Sequence, residues 1–165
     1  MRLFDRLTRS HLKAEITRLR IAAVDMQHAA RGAAHIAAIR AGKLDRMNGD
    51  AEEALKTGVV VSYVRPFTSR QGIGPLSKDK WEPVDERQAE LHRALIFLRN
   101  KRYAHTDETG WRGVEDVFGD SIYSEVSVGI LDEWWPEIEA LADAQSRLMD
   151  ALANRLQEPL RELGA

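Results

Sequence analysis

Residues 12–38 read LKAEITRLRIAAVDMQHAARGAAHIAA. Leu12, Ile16, Leu19, Ala23, Met26, Ala30, Ala33 and Ala37 recur every three or four positions and form one apolar stripe. That period is the signature of an amphipathic helix. The spacing predicts a long first helix over about residues 7–41, with Gly42 as its stop. Ala29, Ala30, Gly32, Ala33, Ala34, Ala37 and Ala38 are small, so another helix backbone can approach this one closely.

Working outward, a second helix is expected from Asn48–Asp50 to about Val64. Asp50 followed by Glu53 resembles a capping box with Asp50 in the cap position. The β-branched run Val59-Val60-Val61 is compatible with a strand, but it follows a good helix start and is closed by Pro66. Residues 65–83 hold three Pro and two Gly and read as a loop. Phe67 and Trp81 are its natural anchors, and its four basic residues make it a secondary candidate for phosphate contact. A third helix should begin near Val84–Asp85, with Val84, Leu91, Leu95 and Leu98 as its stripe, and end around Tyr103–Thr106. Residues 107–131 contain four Gly and read as irregular, with a short helix or hairpin. The last helix is expected over about residues 131–161, with Pro136 tolerated in its first turns. Its stripe is Ile138, Leu141, Ala142, Gln145, Leu148, Met149, Leu152 and Leu156. The expected fold is all-α: a four-helix-type up-and-down bundle with long first and last helices and irregular connections, in a single domain over residues 1–165.

Composition bounds the function. The chain has 165 residues and a net charge of −2, enough length for a real core. It has no Cys, which excludes disulfides, thiolate metal sites and a Cys nucleophile. No apolar run is long enough to span a membrane, and the charged N-terminus lacks the apolar stretch of a signal peptide. A cytoplasmic protein with no membrane association is expected. Charge is unevenly spread: residues 1–46 carry ten Lys/Arg against four Asp/Glu, whereas residues 107–165 carry four against fourteen. A basic half suits phosphates, although basic and acidic helices packed side by side explain the pattern as well.

The segment that concentrates chemistry is Leu98-Arg99-Asn100-Lys101-Arg102-Tyr103-Ala104-His105-Thr106-Asp107. Arg offers a planar fork for phosphate oxygens, and His is suited to proton transfer near neutral pH. Asn can orient either. These are the parts needed to cleave RNA without a metal, by attack of the ribose 2′-OH on the adjacent phosphorus. In a continuous helix Arg99 and His105 lie about 120° apart, so the helix must end between them or the partners must come from two chains. Lys101 and Arg102 share the face of His105. A basic helix C-terminus favoured by the macrodipole is the commoner explanation of such a segment.

The segment resembles the motif of the HEPN superfamily (higher eukaryote and prokaryote nucleotide-binding domains), in which four to six residues separate an Arg from a His and a polar residue commonly follows the Arg. Here Arg99-Asn100 precedes His105 with five residues between Arg and His. A wider likeness is to a prokaryotic branch related to abortive-infection proteins. It covers about residues 50–110 and runs through Tyr63-Val64-Arg65-Pro66-Phe67, a variable loop, Leu91-His92, Leu98-Arg99-Asn100-Lys101 and Ala104-His105-Thr106-Asp107. The resemblance implies a helical bundle that forms a homodimer, with two Arg–His motifs facing one cleft. It implies either a metal-independent endoribonuclease, often a toxin or phage-defence effector held by an antitoxin or regulatory protein, or a silent module that binds nucleotide, RNA or protein. It carries Arg99 over as the phosphate stabiliser, Asn100 as the orienting group and His105 as the acid/base. No cofactor and no metal are implied.

Chemistry adds Lys101, Arg102 and Tyr103 as substrate contacts. His92 lies seven residues before Arg99, on nearly the same face, which makes it a cleft candidate; packing in the bundle is the commoner fate of such a His. His28 and His35, also seven apart, are too far apart for one metal site and read as structural or interfacial. Trp134-Trp135 read as core or dimer interface, Tyr63 and Phe67 as pins for the long loop, and Asp107 as a turn residue.

Overall fold

The apolar and small residues of the opening stretch form a helix because nothing in 32 residues interrupts it: no Pro occurs, and Gly32 is its lone glycine. In the computed structural model, which describes residues 9–68, 74–99 and 133–162, this helix, α1, spans Arg9–Arg40 and is about 48 Å long. It stops as the sequence requires. Gly42 takes φ 68°, its N–H donates to the Ile39 carbonyl (3.0 Å), and the Lys43 N–H donates to that of Ala38 (2.9 Å). This is a Schellman closure, which needs the left-handed backbone that glycine adopts without strain.

The second helix, α2, spans Gly49–Val64. Its cap is Asn48, not Asp50: the Asn48 side chain accepts from the Ala51 N–H at 2.7 Å. Asp50 falls inside the first turn, where a carboxylate meets the positive end of the helix dipole. Val59-Val60-Val61 is helical, with Val59 and Val60 buried. Pro66 ends α2, and a single 3₁₀ turn, Arg65–Phe67, follows. The chain returns to this turn where the Leu76 N–H donates to the Pro66 carbonyl (2.8 Å). Phe67 and Trp81 both lie half-buried against the core, so they anchor the described parts of this connection.

The third helix, α3, spans Glu86–Leu98 and is capped by Asp85, which accepts from the Gln88 N–H at 2.9 Å. Leu91 and Leu95 are buried, but Val84 is fully exposed. Val84 precedes the cap, so helical spacing does not apply to it. The fourth described helix, α4, spans Trp135–Glu162. Ile138, Leu141, Ala142, Gln145, Met149 and Leu156 are buried as expected, whereas Leu148 is 57% exposed. Ser146 and Ala153 are buried instead, which turns the buried face towards them and leaves Leu148 at its rim.

The result is an all-α helical bundle; among the described residues there are four α-helices and no strand. α1 is the centre. α4 packs along it most extensively, and the Ser146 hydroxyl donates to the Ala23 carbonyl at their contact (3.1 Å). α2 runs antiparallel to α1, as the pairs Arg40–Glu52 and Asp25–Arg65 require. Gly32 of α1 faces Val59 of α2 so closely that a Cβ there would sit 2.5 Å from the Val59 Cγ2. Among the described residues no helix is long and apolar enough to cross a membrane. The irregular segment expected over residues 107–131, with its short helix or hairpin, lies outside the described residues.

The Gly32 contact is testable. Gly32→Ala gains about 1 kcal/mol of helix propensity but overpacks a stiff β-branched neighbour, at about 1–3 kcal/mol. Urea unfolding is expected to show a net loss for Gly32→Ala in the wild-type background. In a Val59→Ala background the same change should cost nothing or stabilise. Equal effects in both backgrounds would show that the two residues do not press on one another.

Candidate functional site

The site is built from the end of α2, the turn after it, and α3. Tyr63 is the last aromatic of α2 and is wholly buried. Its hydroxyl lies 2.8 Å from Nδ1 of His92, which stands on α3 and is 1% exposed. The Phe67 ring approaches His92 edge-on at 5.0 Å and Tyr63 at 6.2 Å. The three rings thus lock the Arg65–Phe67 turn to the side of α3.

Burial raises the pKa of the Tyr63 phenol well above its ordinary value, so it keeps its proton. Burial also lowers the pKa of His92; the Lys78 backbone carbonyl and the carboxylates of Glu82 and Asp79 oppose this only in part. The pair is therefore a neutral imidazole and a neutral phenol that share one hydrogen bond between the Tyr63 hydroxyl and Nδ1. Nε2, on the far side of the ring from Tyr63, is buried and has no partner within hydrogen-bond geometry among the described residues.

A second tie holds the turn from the other side. Arg65 donates from Nη1 to the Asp25 carboxylate of α1 at 3.0 Å, and the Asp25 side chain is only 6% exposed. A carboxylate so far from water needs a charged donor.

Arg99 follows directly on α3. It occupies the C-cap with helical dihedrals (φ −58°, ψ −46°), and its N–H donates to the Leu95 and Ile96 carbonyls. It is half-buried and carries on from the last turn of α3. His92 and Arg99 are two turns apart on one helix, about 10.5 Å along its axis. His92 is enclosed by Tyr63 and Phe67, so its geometry is that of a packing residue rather than a substrate contact on an open surface. Asn100, Lys101, Arg102, Tyr103, His105 and Asp107 lie outside the described residues.

The other candidates separate cleanly. Trp135 is buried in the core, while Trp134 is half-buried beneath the Arg87 guanidinium (5.6 Å). His28 and His35 are exposed on α1. Among the described residues no group of three His, Asp or Glu side chains is placed to hold a metal ion. Sequence reasoning missed Asp25, whose signal was a lone carboxylate in the run Ala22-Ala23-Val24-Asp25-Met26. It also missed the partnership of Tyr63 with His92, for which residues 29 apart offer no local signal. No family model, curated protein or solved structure matches the chain.

The Tyr63–His92 pair sets a pH dependence. Unfolded His92 takes up its proton near the ordinary histidine value of 6.5, while folded His92 does so only at lower pH. Unfolding thus binds a proton below about pH 6.5, and the stabilisation present above that value is lost as pH falls through it. Urea unfolding at about pH 7.5 and about pH 5.5 should show this loss in the wild type and a smaller one in His92→Gln. Tyr63→Phe leaves a buried Nδ1 without its hydrogen-bond partner and is expected to cost about 1–3 kcal/mol at the higher pH.

Proposed function

We propose that the protein is a metal-independent endoribonuclease of HEPN type, acting in the cytoplasm as a homodimer in which two copies of the Arg99–His105 segment face one cleft. The observation that carries the reading is a junction. The Tyr63–Phe67 stretch and Leu91-His92, two parts of the motif order separated by a variable loop, meet where the Tyr63 hydroxyl lies 2.8 Å from Nδ1 of His92 and the half-buried Phe67 ring packs on the imidazole at 5.0 Å. The helix they brace leads straight into Arg99. Bracing of this kind suits a catalytic segment, which works only if its scaffold holds it still.

In the proposed reaction His105 removes the proton from a ribose 2′-OH, whose oxygen attacks the adjacent phosphorus. The bond to the 5′-oxygen breaks, that oxygen takes up the proton that His105 holds, and the upstream fragment ends in a 2′,3′-cyclic phosphate. Arg99 offsets the charge that develops on the phosphate oxygens, and Asn100 orients the acid/base. Lys101, Arg102 and Tyr103 hold the flanking backbone. An antitoxin or regulatory protein restrains the activity in the cell.

Purified protein in excess EDTA is expected to cut single-stranded RNA and leave cyclic phosphate ends. His105→Ala should lose about 10²- to 10⁴-fold in rate with its helical circular dichroism intact. Arg99→Lys should also fail, because a point charge does not reproduce the bidentate fork. RNA with 2′-deoxyribose at the cut site should resist. Full activity in His105→Ala, or cleavage of the deoxy substrate at the normal rate, would overturn the mechanism. A wild type that binds RNA and cuts none would instead make the protein a silent binding module.

A further inference from the structure

The solvent side of α1 is unlike every other described face of the molecule. Lys13, Thr17, Arg20, Val24, His28, Arg31 and His35 follow one another at steps of three or four, and all seven are exposed. On a helix of 3.6 residues per turn they fall within an arc of about 80°, in a line about 33 Å long. No acidic residue lies on it. Asp25 is buried against Arg65, and Glu15, on the opposite side of the helix, is paired with Arg18.

Elsewhere the surface mixes its signs. Arg87 is paired with Glu137, Arg93 with Glu82 and Glu86, Arg147 with Asp143, and Arg40 with Glu52. A solvated helix face is ordinarily laced in this way. A line of cations and imidazoles with no counter-charge among the described residues departs from that pattern, and it raises a positive potential along its length.

From this we infer that the outer face of α1 is a track for the phosphate backbone of single-stranded RNA. The charges are spaced along one line rather than gathered in a pocket, which suits a linear polyanion. Stacked nucleotides advance about 3.4 Å each along a strand, so the line runs beside roughly ten of them. Lys13, Arg20 and Arg31 supply the charge, while His28, His35 and Thr17 supply hydrogen bonds to phosphate oxygens. A second copy of the chain fits poorly here, because two-fold pairing of this face sets like charges against each other. An anionic membrane fits poorly too, since Val24 is the sole large apolar side chain on the line and offers little to insert. The inference rests on the proposed function for RNA as the polyanion, but it concerns binding and not cleavage.

The test uses a 2′-O-methyl oligouridine about twelve nucleotides long, which matches the track and has no free 2′-OH to react. Its affinity for the full chain is measured across a series of salt concentrations. Single-strand binding loses about 0.7 in the logarithmic salt slope for each phosphate contact removed. The triple variant Lys13→Gln, Arg20→Gln, Arg31→Gln should therefore lower the slope by about 2. The control triple Lys80→Gln, Arg155→Gln, Arg161→Gln removes as many exposed cations from another part of the surface and should leave the slope at the wild-type value. A wild-type slope in the α1 triple overturns the inference and makes an acidic protein the better occupant. Equal losses in both triples overturn it as well, because the effect is then net charge alone. Cleavage of ordinary RNA reads the other proposal separately. If cleavage persists and the slope does not move, the track fails and the ribonuclease stands. If the slope falls as expected and nothing is cut, the reverse holds.

Discussion

The small side chains of α1 let other helices come close enough to bury it from more than one side. Ala23, Ala29, Ala30 and Ala33 are all buried, and Gly32 gives α2 its close approach at Val59. Larger residues at these positions would hold the neighbouring backbones apart and open voids that the interior cannot fill cheaply. α4 packs along the same helix, with Leu141, Ala142, Met149 and Ala153 buried in the shared core. α3 touches α1 much less and is held mainly by what α2 and the chain after it offer. The candidate site is thus carried one step away from the central helix. Its placement depends on the Tyr63–His92–Phe67 cluster and on the Arg65–Asp25 pair.

Those two ties act differently. The ring cluster is dry and neutral, so it fixes geometry by packing and one oriented hydrogen bond. The Arg65–Asp25 pair is charged and sits at the edge of the core, with Asp25 withdrawn from water and Arg65 half in it. Removing Asp25 leaves a surface cation that water can serve, while removing Arg65 takes the charged donor from a carboxylate in the interior. The tie is therefore asymmetric: the turn needs α1 less than α1 needs the turn.

Periodicity made the helices legible, and local chemistry made most of their ends legible. Gly42, Asp85 and Pro66 act where the sequence places them, because each works through its own backbone or its nearest neighbours. Asn48 was overlooked in favour of Asp50 because two good capping residues stand two positions apart, and only dihedrals choose between them. Val84 and Leu148 follow helical spacing on paper yet are exposed. One precedes its helix, and the other sits where the buried face turns away towards Ser146 and Ala153. The candidate site was half legible. Arg99 was visible as chemistry and His92 as a suspect, but nothing local in the sequence joins His92 to Tyr63, or Arg65 to Asp25. Such pairings are properties of how helices dock, which a linear reading of residue types does not contain.

Asp25 and Gly32 are seven residues apart on α1, two turns along one face, and each meets α2 or its extension at a fixed point. Both contacts hold in only one register. Sliding α1 by one residue turns the face through about 100°, which would bury the carboxylate without its cation and drive a side chain into Val59. The two residues therefore act as a key with two teeth. Length can change freely in the exposed connection 43–46, where the chain only has to reach the next cap. Between Asp25 and Gly32 even one inserted residue would leave the key unable to seat. In a lineage of such proteins, this interval should hold its length while the connection after Gly42 grows and shrinks.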